Sequence, residues 1–262
     1  MTGGWHDPGR RTIRDMRRLL AVLAALPLSV LLVTPAHAIT NGVEDGNAHP
    51  NVGGLVAAHA YSDGTWLYCS GTLIAPTVFL TAAHCAEGDR VRVTFDSAYV
   101  DGDKTYAGTW HADPLYNQAQ DDPHDIAVVV LDKAVKGITP AALPKAGSLG
   151  GLPGTQQFTS VGYGAYEVAK GGQAYYYNDV RMVATGTLNS INPAWLRISM
   201  NPATGNGGTC YGDSGGPNFL GSGNVLAATT ITGDAVCRST NVVYRLDTAS
   251  ARTFLGQYVT LP

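Results

Sequence analysis

Apolar residues along this chain fall in short runs separated by turn residues. Gly54-Leu55-Val56-Ala57-Ala58 and Leu73-Ile74-Ala75 are such runs, as is Ile126 to Leu131, and Arg90 to Phe95 alternates apolar with polar positions. Runs this short, bounded by Gly, Pro, Asn and Asp, predict strands of an all-β barrel or sandwich. The cluster Gly147-Ser148-Leu149-Gly150-Gly151-Leu152-Pro153-Gly154 punctuates the chain and predicts a boundary there. Beyond it Gln157–Val161, Asp179–Val183, Leu226–Ala228 and Val242–Tyr244 read as a second set of strands. Helical spacing appears only near the end, where Ala251, Phe254, Leu255 and Tyr258 predict a helix within Thr248–Val259 with one buried face.

Composition agrees with a loop-rich β protein: of 262 residues, 14% are charged and 32 are glycine. The net charge of −3 is unevenly spread. Residues 1–38 hold Arg10, Arg11, Arg14, Arg17 and Arg18 against Asp7 and Asp15, which leaves twelve bases against eighteen acids in the remainder. An acidic body gives nucleic acid nothing to hold. The basic start has its own meaning. Arg17-Arg18, an apolar run from Leu19 to Val33 interrupted by Pro27, and Ala36-His37-Ala38 predict a secretory signal peptide cut after Ala38 rather than a membrane anchor. Residues 1–15 add nothing to that signal, so Met16 is the expected natural start and 1–15 a non-native or untranslated extension. The paired arginines are also compatible with a twin-arginine route.

The chemistry is concentrated in three stretches. Gly212-Asp213-Ser214-Gly215-Gly216-Pro217 sets a serine among glycines, where the Gly212 and Ser214 amides can both face one concavity and form an oxyanion hole. Thr81-Ala82-Ala83-His84-Cys85 supplies a histidine, and His124-Asp125-Ile126-Ala127 an aspartate. A serine hydroxyl is a poor nucleophile until an imidazole accepts its proton, and a carboxylate on the other ring nitrogen fixes the tautomer. Singly, His84 is readable as a core histidine, Asp125 as a strand cap and Ser214 as a turn residue; their joint context favours catalysis. His49, His59, His111 and His124 lack such context and read as surface or core residues.

In the order His, Asp, Ser, these segments resemble the trypsin/chymotrypsin-like serine proteases, of a bacterial, actinobacterial kind, from Ile39 to the C-terminus. The resemblance implies two six-stranded antiparallel β-barrels, about 39–146 and about 147–262, with a cleft between them and a C-terminal helix. It implies a secreted serine endopeptidase that needs no cofactor, with protein or peptide substrates and protein inhibitors as partners. No nucleic acid, no membrane after signal removal and a monomeric state are expected. A catalytically weak homologue acting as a binding protein, or an esterase, are the alternatives. The resemblance also implies that Ile39, once released, pairs its α-amino group with Asp213, and that the four cysteines join as Cys69–Cys85 and Cys210–Cys237.

The residue six before the serine, Gly208, is implied at the base of the specificity pocket, with Thr209 beside it, Gly233 on the opposite wall and Val242 narrowing it. The absence of a carboxylate at Gly208 predicts cleavage after small or medium apolar residues. Thr230-Ile231-Thr232-Gly233 would pair with an extended substrate by strand addition. Many relatives carry Ser-Trp-Gly there, so the hydroxyl that supports the buried aspartate is absent unless Thr230 or Thr232 supplies it. A zinc site is disfavoured because the cysteines include no C-x₂-C pair, and Asp96, Asp101 and Asp103 miss calcium-loop spacing.

Overall fold

The computed structural model describes residues 1–4, 39, 41–167 and 175–262, so the predicted export segment at 16–38 lies outside the described residues. Everything below belongs to the compact unit Ala36–Pro262. After a two-residue strand β1 (Val43–Glu44), six strands follow: β2 (Val52–Val56), β3 (Leu67–Ala75), β4 (Val78–Thr81), β5 (Arg90–Thr94), β6 (Tyr106–Ala112) and β7 (Ala127–Leu131). They close into an antiparallel barrel in the order β2-β3-β4-β7-β6-β5. Closure removes the exposed edges that strands of this apolar content would otherwise present.

The second barrel is made of β8 (Gln157–Gly162), β11 (Met182–Ile191), β12 (Trp195–Ser199), β13 (Pro217–Leu220), β14 (Leu226–Gly233) and β15 (Thr240–Arg245), and the pairings of β8 with both β11 and β13 close it. A hairpin of β9 (Tyr166–Glu167) and β10 (Tyr175–Tyr176) stands apart from both. The fold is therefore the double barrel expected. In β11 and β12 buried residues alternate with more exposed ones, the two-residue period of a strand with one wet face. Inside, Phe158, Leu188, Leu196, Ile198 and Val243 form one cluster with Leu149. Truncating a fully buried ring such as Phe158 to alanine would cost about 3–5 kcal/mol.

Several strands differ from the sequence reading, β2 among them at Val52–Val56 instead of Gly54–Ala58, and two of the shifts have a visible cause. β3 begins at Leu67, six residues before the apolar Leu73, because the small residues Ser70, Gly71 and Thr72 are wholly buried in the ladder. The strand read at Asp179 begins instead at Met182. Asp179 takes a left-handed φ of 54° and its carboxylate accepts from the Trp66 and Leu67 amides, so it serves as a tie between loops. At the end of the chain, α1 (Ala249–Leu255) buries Ala251, Phe254 and Leu255, and the Thr248 hydroxyl caps it by accepting from Ala251 N.

Both chain ends cross over. β1 pairs with β11 of the second barrel before the chain enters the first. The residues following α1 return to the first barrel, where the Tyr258 ring meets His111 of β6 at 5.6 Å, while Ser250 donates to Asp122 at 2.6 Å. The N-terminal stretch is pinned by Arg181, whose side chain is fully buried. Its Nε donates to Asp45 at 2.9 Å, and its other donors reach the carbonyls of Val52, Phe95 and Gly46. Asp45 also accepts from the His49 ring, which stacks on Phe219. A buried pair with this many donors satisfied is costly to break from one side, about 3–5 kcal/mol.

Candidate active site

His84 sits in a single 3₁₀ turn, Ala83–Cys85, directly after β4. The neighbouring Cys85 is bonded to Cys69 of β3, which fixes the turn against the barrel wall. Asp125 precedes β7 and is 1% exposed, so its carboxylate depends on protein donors. It has two: His84 N donates to Oδ1 at 3.0 Å, and His84 Nδ1 lies 2.8 Å from Oδ2. That contact places the proton on Nδ1 and leaves Nε2 as the acceptor. No threonine hydroxyl joins Asp125 among the described residues. Thr230 Oγ1 instead accepts from Asn218 Nδ2 at 3.0 Å.

Ser214 comes from the second barrel and is held across the cleft by the first, since Ser70 N donates to its carbonyl at 2.8 Å. Ser70 Oγ also donates to the Gly212 carbonyl at 3.0 Å and accepts from Tyr163 N. Sequence reading missed Ser70; its place beside a cysteine was the one signal. Two glycines are obligatory here. Gly212 has φ 91°, and at Gly215, with φ 80°, a Cβ would strike Thr81 Oγ1 and the Ser70 carbonyl. Cys210 is bonded to Cys237, which ties the serine loop to the stretch after β14.

His84 and Ser214 line one cavity of about 300 Å³ together with Thr209, Tyr211, Ile231 and Gly233. No hydrogen bond joins Ser214 Oγ to His84 among the described residues; such contacts are commonly long without substrate and shorten when one binds. Gly208 and Val242 do not line this cavity. Gly208 lies against Met200, and Val242 lines a neighbouring cavity with Asp125, Trp195 and Arg197. The register explains this: Arg197, Val242 and Thr232 are paired in turn across β12, β15 and β14 and so share a face. Sequence reading also missed Asp234 in the wall of the 300 Å³ cavity. Its carboxylate accepts from the amides of Arg238, Ser239 and Thr240, at 3.1, 2.8 and 2.7 Å, and so closes its own loop.

His124 is more than filler. Its Nδ1 lies 3.0 Å from Asp113 Oδ2, and with φ 49° it turns the chain into Asp125. Asp213, next to the serine, is completely buried. Its carboxylate accepts from Gly164 N at 2.8 Å and Cys210 N at 2.7 Å, yet burial outweighs those bonds and pushes its pKa up to about 7. Ile39 is fully buried beside Met182 and Ala184, and no hydrogen bond or ion pair joins it to Asp213 among the described residues. Cys69, His84 and Cys85 cluster closely enough for a metal, but both sulfurs are in the disulfide and cannot ligate as thiolates.

Comparison with known proteins bears on the chain as a whole. The Trypsin family model matches residues 44–252. A trypsin of Saccharopolyspora erythraea is 30% identical over 212 residues, covering 75% of this chain and 88% of that protein. A trypsin of Phaedon cochleariae is 32% identical over 174 residues, covering 58% of this chain and 64% of that protein. Among solved structures, HL collagenase superposes with a TM-score of 0.66 at 20% identity, covering 84% of this chain and 97% of its own, a likeness of fold. With the double barrel, a histidine held by an aspartate and a glycine-flanked serine across the cleft, the chain belongs to the trypsin family of serine endopeptidases.

Proposed function

We propose that Ser214 is the nucleophile, His84 its general base and acid, and Asp125 the carboxylate that fixes the imidazole tautomer. The observation that carries this reading is the 2.8 Å contact between His84 Nδ1 and Asp125, with the opposite side of the ring opening on the cavity that Ser214 shares. Ser214 Oγ attacks the peptide carbonyl while its proton passes to His84 Nε2. The Gly212 and Ser214 amides stabilise the tetrahedral oxyanion, each such donor being worth about 2.7–4 kcal/mol. Collapse expels the amine with the proton from His84, and water repeats the sequence on the acyl-enzyme. Labelling by a fluorophosphonate probe tests the assignment. Wild-type protein labels and hydrolyses casein, and Ser214→Ala does neither; labelling that survives the substitution removes Ser214 from the role.

Export is part of the same reading. Signal peptide removal after Ala38 leaves Ile39 as the first residue, and its ammonium supplies the cation that the buried Asp213 lacks. Two observations support this. Ile39 is already buried, and its φ of 62° is a costly conformation for a β-branched residue, one no longer imposed once the preceding peptide bond is gone. Among the described residues no helix is long and apolar enough to cross a membrane. The pocket favours small or medium apolar residues before the scissile bond. Asp234 is engaged by three backbone amides, Ile231 and the Cys210–Cys237 bridge supply apolar wall, and the site opposite Met200 holds no carboxylate. Alanyl and leucyl substrates should therefore be cleaved faster than arginyl ones, and the reverse ranking would overturn the preference.

A further inference from the structure

Gly212, two residues before Ser214, also lines a second cavity, of about 340 Å³, together with Tyr61, Asp63, Tyr68 and Tyr177. Three phenol rings and one carboxylate face it, and no lysine or arginine does. The Asp63 carboxyl is held in its charged form chiefly by Thr65, whose hydroxyl and amide donate to Oδ1 at 2.7 and 3.0 Å. Its other oxygen, Oδ2, has no partner among the described residues. The surroundings add more negative charge. Tyr61 donates to Glu87 at 3.3 Å, and the buried Asp179 holds the Trp66 and Leu67 amides behind the same loop. Burial, with Glu87, Asp179 and Asp63 nearby, pushes the Tyr61 hydroxyl up to about 12, so its ring stays neutral. Neutral phenol faces beside an anion with an open oxygen make a receptor for a cation.

Which part of a substrate lies here follows from the strand that would bind it. With the acyl half paired along Thr230–Gly233, as the sequence leads one to expect, and the catalytic roles proposed above, on which this inference rests, the half that leaves with the amine passes Gly212 in the other direction. We propose that this cavity receives a lysine or arginine side chain from the substrate segment following the scissile bond, with Asp63 as the specificity-determining residue. The cavity lined by Asp125 and Val242 is different in kind: among the described residues its one unpaired charge is Arg197, so the two cavities are not interchangeable.

Internally quenched peptides sharing one sequence before the scissile bond, with Lys, Gln or Glu at either of the two positions after it, provide the test. The purified protein is assayed both as the full chain and with Ile39 as its first residue. The expected kcat/KM for Lys exceeds that for Glu roughly tenfold. In Asp63→Asn the ratio falls to about twofold or less, while the thermal melting curve stays that of the wild type, which reports intact folding. Raising the salt concentration narrows the wild-type ratio. Cleavage of all three peptides at equal rates, or a lysine preference that Asp63→Asn leaves unchanged, overturns the inference. No cleavage of any peptide in either form, with no fluorophosphonate labelling, would instead count against the catalytic reading.

Discussion

Asp125, in contact with His84, and Asp213, next to Ser214, are both buried aspartates, yet their surroundings are opposites. Asp125 faces an ionisable partner, with both oxygens engaged by His84. Among the described residues Asp213 has two amide donors and no cation, and burial pushes its pKa up to about 7. The contrast separates two uses of a buried acid. On the function proposed above, one orients a base that is already present, and the other awaits a cation that Ile39 would supply once the chain is cut before it.

The largest expected effect breaks the complete partner. Asp125→Asn should preserve the His84 N contact but place the wrong hydrogen toward Nδ1, lowering kcat by about 10⁴ with little change in KM, as in related Ser-His-Asp enzymes. A fall of less than tenfold would show that Asp125 does not set the tautomer. The next effect concerns Asp213. One extra residue left before Ile39 places an uncharged amide where the ammonium belongs, and activity should fall on the order of 100-fold through misplacement of the serine loop. Full activity in that extended form refutes the pairing.

The smallest effect sharpens the same contrast through pH. In the uncut chain the Asp213 pKa is raised from the ordinary 3.8 to about 7, so between those values the folded protein keeps a proton that the unfolded chain has released. The associated stability is present in full below about pH 4 and lost as pH climbs through about 7. With Ile39 as first residue, an ammonium beside Asp213 should reduce that loss, until the amine itself deprotonates above about pH 8. Melting temperatures of the two forms from pH 4 to 9 should thus diverge as pH rises to 7. Parallel curves would mean that Ile39 never reaches Asp213.

Where apolar runs were long enough to announce themselves, the fold was legible. β5 and β7 lie where alternation and the run before Leu131 put them, and Ala251, Phe254 and Leu255 face inward on the terminal helix. β3 was cut short because its buried positions are Ser70, Gly71 and Thr72, which satisfy a closed ladder without looking hydrophobic. Asp179 and Arg181 misled for a related reason: a charged residue in a strand-like context suggests solvent, whereas both are buried and bonded to segments more than 80 positions away. Around the serine, motif spacing indicated which residues could meet, and the geometry brings His84, Asp125 and Ser214 to one place. Wall composition was less accessible. Val242 lines a different cavity and Asp234 the one that Ser214 shares, and in between the register of β14 with β15 shifts between Thr230 and Thr232, a change that leaves no mark in a linear string.

The crossing of the chain ends bears on how such a molecule survives its own chemistry. An endopeptidase is always its own nearest polypeptide, and the connecting stretch 132–156 is its exposed waist, mostly loop and turn. Were that waist severed, each fragment would still grip the other: the leading piece contributes β1 to the trailing barrel, and the trailing piece lays its Tyr258 ring on the leading one. Self-inflicted damage at that point would leave the two halves handcuffed through those two contacts.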